Sequence, residues 1–305
     1  MILDRKVSLI GAPLGLGGGH SGTCLGPMAV RLAGLRERVE ALGLDYEDLG
    51  DVPAPEPAST VPPDRAARFI DEIAEHCGAL RDAVASVHER GRFPLVIGGD
   101  HAVACGSIAG TAKHFDSQGK KLGLIWFDAH GDMNTPETSP SGNVHGMPLA
   151  SCLGYGPKAL SGLTGREPIL DVRHCVLVGI RELDNREKEQ IRKSGIRVYT
   201  MREIDMMGMQ RVMEEAIEIA SAGTDGFHLS FDVDGCDVAV APGTGTIVPG
   251  GANYREAHLV MENCADTGKL ASLEITEVNP ILDIKNQTAE LAAGLVESAL
   301  GKLVL

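Results

Sequence analysis

The stretch LGLIWFDAHGD, residues 122 to 132, decides how the rest of the chain is read. Leu122 to Phe127 is apolar at both alternating positions, the mark of a strand covered on both faces. It then halts at three ionisable side chains, Asp128, His130 and Asp132. The same habit recurs along the chain. Val96-Ile97 runs into Gly98-Gly99-Asp100-His101, Leu177 to Ile180 into Arg181, Phe231 into Asp232-Val233-Asp234, and Ile275 into Thr276-Glu277.

Working outward, strands are predicted at Val7 to Ile10, Pro94 to Ile97, Leu122 to Phe127, Cys175 to Ile180, Phe227 to Phe231 and Leu273 to Ile275. Helical spacing falls at Pro27 to Leu42, Asp64 to Arg90, Ala102 to Phe115, Arg186 to Lys193, Gln210 to Ala222, Tyr254 to Asp266 and Thr288 to Leu300. This alternation predicts an α/β fold, a three-layer sandwich with a central, mostly parallel β-sheet flanked by helices. It continues across a Pro-rich connector, Val52 to Pro63, and no fixed-period repeat is present, so residues 1–305 read as a single domain. In a parallel sheet the polar strand ends share one edge, where such folds place ligands.

With 28 Lys+Arg against 42 Asp+Glu, the formal charge of the 305 residues is 28 − 42 = −14. That balance disfavours binding to nucleic acid or to an anionic membrane surface as the main activity. No apolar run approaches the roughly 20 residues of a membrane helix, and no secretory signal opens the chain, so a cytoplasmic location is expected. The seven cysteines are scattered and never form C-x-x-C, which reads as reduced, mostly buried thiols.

The chemistry is carried by Asp128, His130 and Asp132, by Asp232 and Asp234, and by His101. If strand geometry persists past Phe127, period-2 alternation brings the first three to one face. Four carboxylates gathered at one sheet edge repel one another and resist ionisation together. Two divalent cations bring +4 against −4 and remove the objection, with the imidazoles as neutral ligands. An oxygen-rich set without thiolate favours manganese, ahead of magnesium, iron, cobalt or nickel. Two such ions, roughly 3.5 to 4 Å apart, acidify a shared water and perform hydrolysis. Asp100, beside Gly98-Gly99, reads instead as a helix N-cap. The long polar segment Gly131 to Met147 reads as a substrate-binding loop, with Asn134, Thr135, Ser139, Ser141 and Asn143 as hydrogen-bonding groups and His145 as a proton carrier.

The blocks GGDHAVACGS (98 to 107), WFDAHGDMNTPETSPSGNVHGMPLA (126 to 150), SFDVDGCDVAVAPGTGT (230 to 246), GGANYREAH (250 to 258) and EVNPILD (277 to 283) resemble the ureohydrolases, specifically arginases of bacterial type. The likeness extends from GAPLGLG to the C-terminal helix. It implies binuclear-manganese hydrolysis of L-arginine to L-ornithine and urea by a metal-bridging hydroxide. By the same resemblance, His101, Asp128, Asp132 and Asp232 are the ligands of one Mn2+ and Asp128, His130, Asp232 and Asp234 those of the other. Glu277 is the residue that holds the guanidinium, His145 the proton shuttle, and Asp132 the donor to the departing nitrogen. Asn134, Ser141 and Asn143 are implied contacts of the α-carboxylate, and Asp184 of the α-amino group, with His228 and Ser230 as supports behind the metals. Assembly as a homo-oligomer, trimer or hexamer, is also implied, with Arg255 resembling an interface residue of the hexameric relatives.

The alternatives differ in chemistry. An agmatinase or other guanidino-compound hydrolase would lack the carboxylate contacts. A deacetylase of the same broad fold would use one zinc and a tyrosine. A nucleotide-binding reading of Gly15 to His20 is weak, because His20 stands where the third glycine of G-x-G-x-x-G belongs. A metal-binding pseudoenzyme would show a broken ligand set, whereas all six positions are present. Two features depart from or go beyond the family pattern. Val238 follows Asp237 where many relatives have proline, which predicts a looser loop, and Cys236 in that loop reads as a small buried residue.

Overall fold

A computed structural model describes residues 5–54 and 61–303. Among the described residues there are eight strands: β1 (Lys6–Ala12), β2 (Asp45–Asp51), β3 (Phe93–Gly98), β4 (Leu122–Phe127), β5 (Cys175–Ile180), β6 (Arg197–Thr200), β7 (Gly226–Asp232) and β8 (Leu270–Thr276). They form one sheet in the order β2-β1-β3-β8-β7-β4-β5-β6, and every neighbouring pair is parallel.

The α/β layering follows from where the apolar side chains go. Ile125, Phe127, Leu229 and Phe231 pack on one face with the helices Leu35–Ala41, Met209–Ser221, Tyr254–Asp266 and Gln287–Ala299. Leu124, Trp126 and Leu177 point the other way, towards the helices Ala104–Ser117 and Pro148–Cys152. Alternate residues of one strand thus serve opposite layers. Burial of apolar surface on both faces is the main term holding the sheet between its helices.

The interior strands and most helices lie where the periodicity placed them. The two edge strands were not legible. β2, with the sequence DYEDLGD, is largely exposed on its outer side, and β6 has only four residues, so neither needed an apolar run. The expected helix Pro27 to Leu42 is two helices, Gly26–Leu32 and Leu35–Ala41, because Gly34 between them takes a left-handed φ of 79°. The helix expected from Asp64 begins at Ile70, after Phe69 turns the chain at φ 55°. Of the Pro-rich connector, residues 55–60 lie outside the described residues. No helix among the described residues is long and apolar enough to cross a membrane.

β3, β8, β7 and β4 are consecutive neighbours at the centre of the sheet, and their carboxyl ends are the ones that halt at His101, Glu277, Asp232 and Asp128. Gly99 locks two of these ends to the edge of the sheet. Its N–H donates to Ala12 O at 2.7 Å and its carbonyl accepts from Glu277 N at 2.8 Å. A β-carbon at Gly99 would come within 1.7 Å of Leu14 O, so only glycine fits this approach. Gly99→Ala is therefore expected to lower the unfolding free energy by about 1–3 kcal/mol, as overpacking does, measured by urea denaturation.

Candidate active site

The chain leaves each of the four central strands through a short polar turn. At the end of β3, Asp100 caps the following turn, its carboxylate accepting from Ala102 N at 3.1 Å and Gly17 N at 2.8 Å. That fulfils the capping expectation and fixes the neighbouring His101. At the end of β7, Asp232 accepts from Asp234 N at 2.8 Å, which turns both carboxylates inward.

Beyond β4 the outcome differs from expectation. Strand geometry stops at Phe127, so period-2 alternation does not carry Asp128, His130 and Asp132 to one face. They meet through a turn instead. Asp128 accepts from His130 N at 2.6 Å, and Asp132 adopts a left-handed φ of 49°. Glu277, after β8, also has a positive φ, 64°. Such backbone in non-glycine residues is costly and clusters where function holds it in place.

His101, Asp128, Asp132, Asp232, Asp234 and Glu277 are all buried, and His130 and His145 are half-buried. His101 Nδ1 lies 3.1 Å from Asp128 Oδ2, 3.1 Å from Asp132 Oδ2 and 3.0 Å from Asp232 Oδ2. His130 Nδ1 lies 3.1 Å from Asp234 Oδ2 and 3.4 Å from Asp128 Oδ1. Two groups of donor atoms result, His101/Asp128/Asp232 and Asp128/His130/Asp234, each within 4.8 Å of one another. Asp128 is common to both. Asp132 faces the first group through His101, while Asp232 stands with the first group rather than within both.

The donor set fits a pair of dications. A ring nitrogen carries at most one hydrogen, yet three carboxylate oxygens surround His101 Nδ1, which has no hydrogen-bond partner although it is buried. Its other nitrogen, Nε2, is bonded to Ser230 Oγ at 2.8 Å. Burial and then the negative neighbour Asp128 push the Asp132 carboxyl up to about 6. Burial, with Asp234 and Asp128 beside it, pushes Asp232 well above the carboxylate range, and Asp234 moves the same way. Without cations these carboxylates cannot all ionise comfortably.

The groups behind the cluster are held by hydrogen bonds and ring stacking. Trp126 donates from Nε1 to Asp128 Oδ2 at 3.0 Å and stacks on the His101 ring at a centroid distance of 4.2 Å. Thr246 donates to Asp234 Oδ2 at 2.7 Å. Arg181 donates to the backbone carbonyls of Asp234, Gly235, Cys236 and Val248, tying down the loop after β7. Asp237 adds bonds from Ala239 N at 3.0 Å and Gly250 N at 2.8 Å, so this loop is pinned without the proline. Cys236 is buried, and burial pushes its thiol up, away from reactivity. His228 bonds Ser272 Oγ at 2.6 Å, and Glu274 accepts from Ser107, extending a polar seam beneath the site.

A cleft of about 240 Å³ opens above the cluster, and Asn134, Ser141, Asn143, His145 and Asp184 all line it. Asn134 Nδ2 donates to Asp184 Oδ2 at 2.8 Å, and Asp184 caps the helix Asn185–Ser194 through its other oxygen. The loop is less exposed than its composition suggests, with Met133, Asn134 and Thr135 buried. His145 Nδ1 pairs with Glu277 Oε1 at 3.1 Å, and the same oxygen accepts from His101 N at 2.9 Å.

The arginase family matches this sequence over residues 5–301, nearly its whole length. The chain belongs to the arginase family. Among its relatives, the arginase of Bacillus caldovelox is 49% identical over 302 residues, covering 99% of this chain and 100% of that protein. The native structure of that enzyme superposes with a TM-score of 0.94. The structure of Entamoeba histolytica arginase in complex with L-ornithine is 32% identical, with a TM-score of 0.90 and coverage of 98% of this chain and 99% of that one. Family membership makes this chain a hydrolase of the ureohydrolase type.

Trp126, Thr246 and Glu187, whose carboxylate accepts from Met133 N at 3.0 Å, were not singled out from the sequence. Trp126 alone left a signal, as the one tryptophan, two residues ahead of Asp128 on the strand that leads into it. Trp126→Phe keeps the stacking surface and removes the hydrogen bond to Asp128. It is expected to weaken divalent-metal binding by about 10–100-fold with the fold retained, read by chelator competition.

In the metal-free protein the His145–Glu277 pair adds a pH dependence. Burial opposes protonation of His145, but Glu277 overcomes it and raises the imidazole from 6.5 to about 9. The pair's contribution is then complete below about pH 6.5 and lost as pH rises through about 9. His145→Asn should abolish that alkaline limb in thermal melts of chelated protein.

Proposed function

We propose that this protein hydrolyses L-arginine to L-ornithine and urea with two manganese ions, in the cytoplasm and as a homo-oligomer. One observation carries the reading. Asp128 is shared by two tight groups of ligand atoms at the floor of a cleft whose wall offers Asn134, Ser141, Asn143 and Asp184. The names of the relatives support the same substrate.

His101, Asp128, Asp132 and Asp232 would hold one ion and Asp128, His130, Asp232 and Asp234 the other. Bound there, the pair supplies Lewis acidity that makes hydroxide available near neutral pH. Glu277 offers a buried carboxylate to the substrate guanidinium, and a charge-assisted bond fixes the planar group for attack at its central carbon. His145 must yield part of its hold on Glu277 for this. Its side chain is 19% exposed where that of Glu277 is 4% exposed, so it is the member of the pair able to exchange protons with solvent. Asp132, held near His101 Nδ1, takes the proton that the attacking oxygen gives up and passes it to the departing amine nitrogen.

At the far end of the substrate, Ser141 and Asn143 face the α-carboxylate, and Asp184 attracts the α-amino group. Agmatine has no carboxylate and would leave those donors unpaired. The manganese-loaded enzyme is therefore expected to favour arginine over agmatine in kcat/KM by about 100-fold or more.

Urea release from chelated protein, with each divalent metal restored in turn, tests the assignment. Manganese should restore the most activity. Asp128→Asn should lose both ions, whereas His145→Asn should keep both and turn over more slowly. Full metal content and activity in Asp128→Asn would overturn the binuclear reading. Trimeric or hexameric assembly, for which the resemblance of Arg255 to an interface residue of the hexameric relatives speaks, is checked by sizing in solution.

A further inference from the structure

Arg68 was not singled out from the sequence, yet it is fastened to the substrate loop. Its N–H donates to Gly142 O at 2.9 Å, and its guanidinium Nη1 donates to Asn143 Oδ1 at 2.9 Å. The backbones here are in close contact. A β-carbon on Gly142, which has φ 72°, would come 1.9 Å from Arg65 O. The segment ahead of the helix Ile70–Glu89 therefore forms the outer support of this wall of the cleft.

The contact settles which way the Asn143 amide faces. A guanidinium has five N–H donors and no acceptor, so it can bond only the amide oxygen. The two N–H donors of Asn143 then point elsewhere. On that side lies Gly19, whose hypothetical β-carbon would sit 3.3 Å from Asn143 Nδ2, so the glycine leaves the amide approachable. Ser141 Oγ accepts from Asn143 N at 3.1 Å, which leaves the hydroxyl hydrogen for an outside acceptor. Asn134 differs, since its oxygen accepts from Thr138 at 2.9 Å and its amide already donates to Asp184.

Charge reinforces the geometry. Once cations neutralise Asp132, Asp232 and Asp234, the cleft lining still holds Glu182 and Asp184, which repel an incoming carboxylate. No carboxylate pairs with Arg68 among the described residues, so its positive charge stands uncompensated behind the two donors.

We propose that Arg68 is a positioning residue that sets specificity for a carboxylate-bearing substrate, by holding the Asn143 amide with its N–H groups toward the cleft and by placing a positive charge behind it. This rests on the proposed hydrolysis of L-arginine and assigns a role that Asn143 alone does not fill.

The test compares kcat and KM for L-arginine in the manganese-loaded parent, Arg68→Met, Arg68→Lys, Asn143→Ala and the Arg68→Met/Asn143→Ala double variant. Arg68→Met should raise KM about tenfold, equivalent to about 1.4 kcal/mol of lost binding. Its kcat should stay within about twofold, as expected when ground-state and transition-state binding are weakened together. Arg68→Lys should recover part of the loss through its charge. In the Asn143→Ala background the Arg68→Met penalty should shrink, because the two residues act through one contact. An unchanged KM in Arg68→Met, a fall in kcat at constant KM, or an equal penalty with and without Asn143 would overturn the inference. A parent enzyme that releases no urea from L-arginine would instead defeat the substrate assignment on which it rests.

Discussion

Mutual repulsion among Asp128, Asp132, Asp232 and Asp234 is the constraint to which the rest of the site answers. All four are buried, and three of them, Asp128, Asp132 and Asp232, surround a histidine nitrogen that can carry one hydrogen at most. Such an arrangement is unfavourable on its own terms and favourable around multivalent cations. The cost of assembling it without metal falls on the folded protein. The scaffold meets that cost with apolar burial on both faces of the sheet and a dense set of bonds to the ligand-bearing turns.

The sheet's strand order is how distant segments meet. His101, Asp128, Asp232 and Glu277 are separated by up to 176 positions, yet their strands are adjacent in the order β3-β8-β7-β4. Because every connection is parallel, each carboxyl end arrives at the same edge. Trp126, Ser230, Thr246 and Arg181 then orient the arriving groups from behind. Two of the turns hold Asp132 and Glu277 in left-handed backbone, where the surrounding hydrogen bonds outweigh the local conformational preference.

The wall of the cleft is built differently. Its loop has little regular structure beyond a short turn at Val144–Gly146, and it gains order from partners elsewhere in the chain. Asp184 reaches it from the helix after β5, Gly17 O accepts from His145 N, and Arg68 reaches it from the segment before Ile70. The candidate metal ligands thus sit on the turns at strand ends, and the proposed substrate contacts on a loop braced from three sides. Such a separation allows a loop to vary without disturbing groups held on strand ends.

The amino-acid sequence by itself determined the layers, the six apolar strands and which acids and histidines gather at the carboxyl edge of the sheet. Runs buried on both faces leave an unmistakable apolar pattern, and four clustered acids with two histidines restrict the chemistry. Edge strands β2 and β6 escaped because one side faces solvent and no periodic signal is required of them. Only the tertiary structure decided how Asp128, His130 and Asp132 meet, through a turn with a left-handed residue rather than an extended strand. It alone brought Trp126 onto His101 and Arg68 onto Asn143. Those contacts depend on long-range packing, and a local pattern carries no record of which distant side chain will lie across from it.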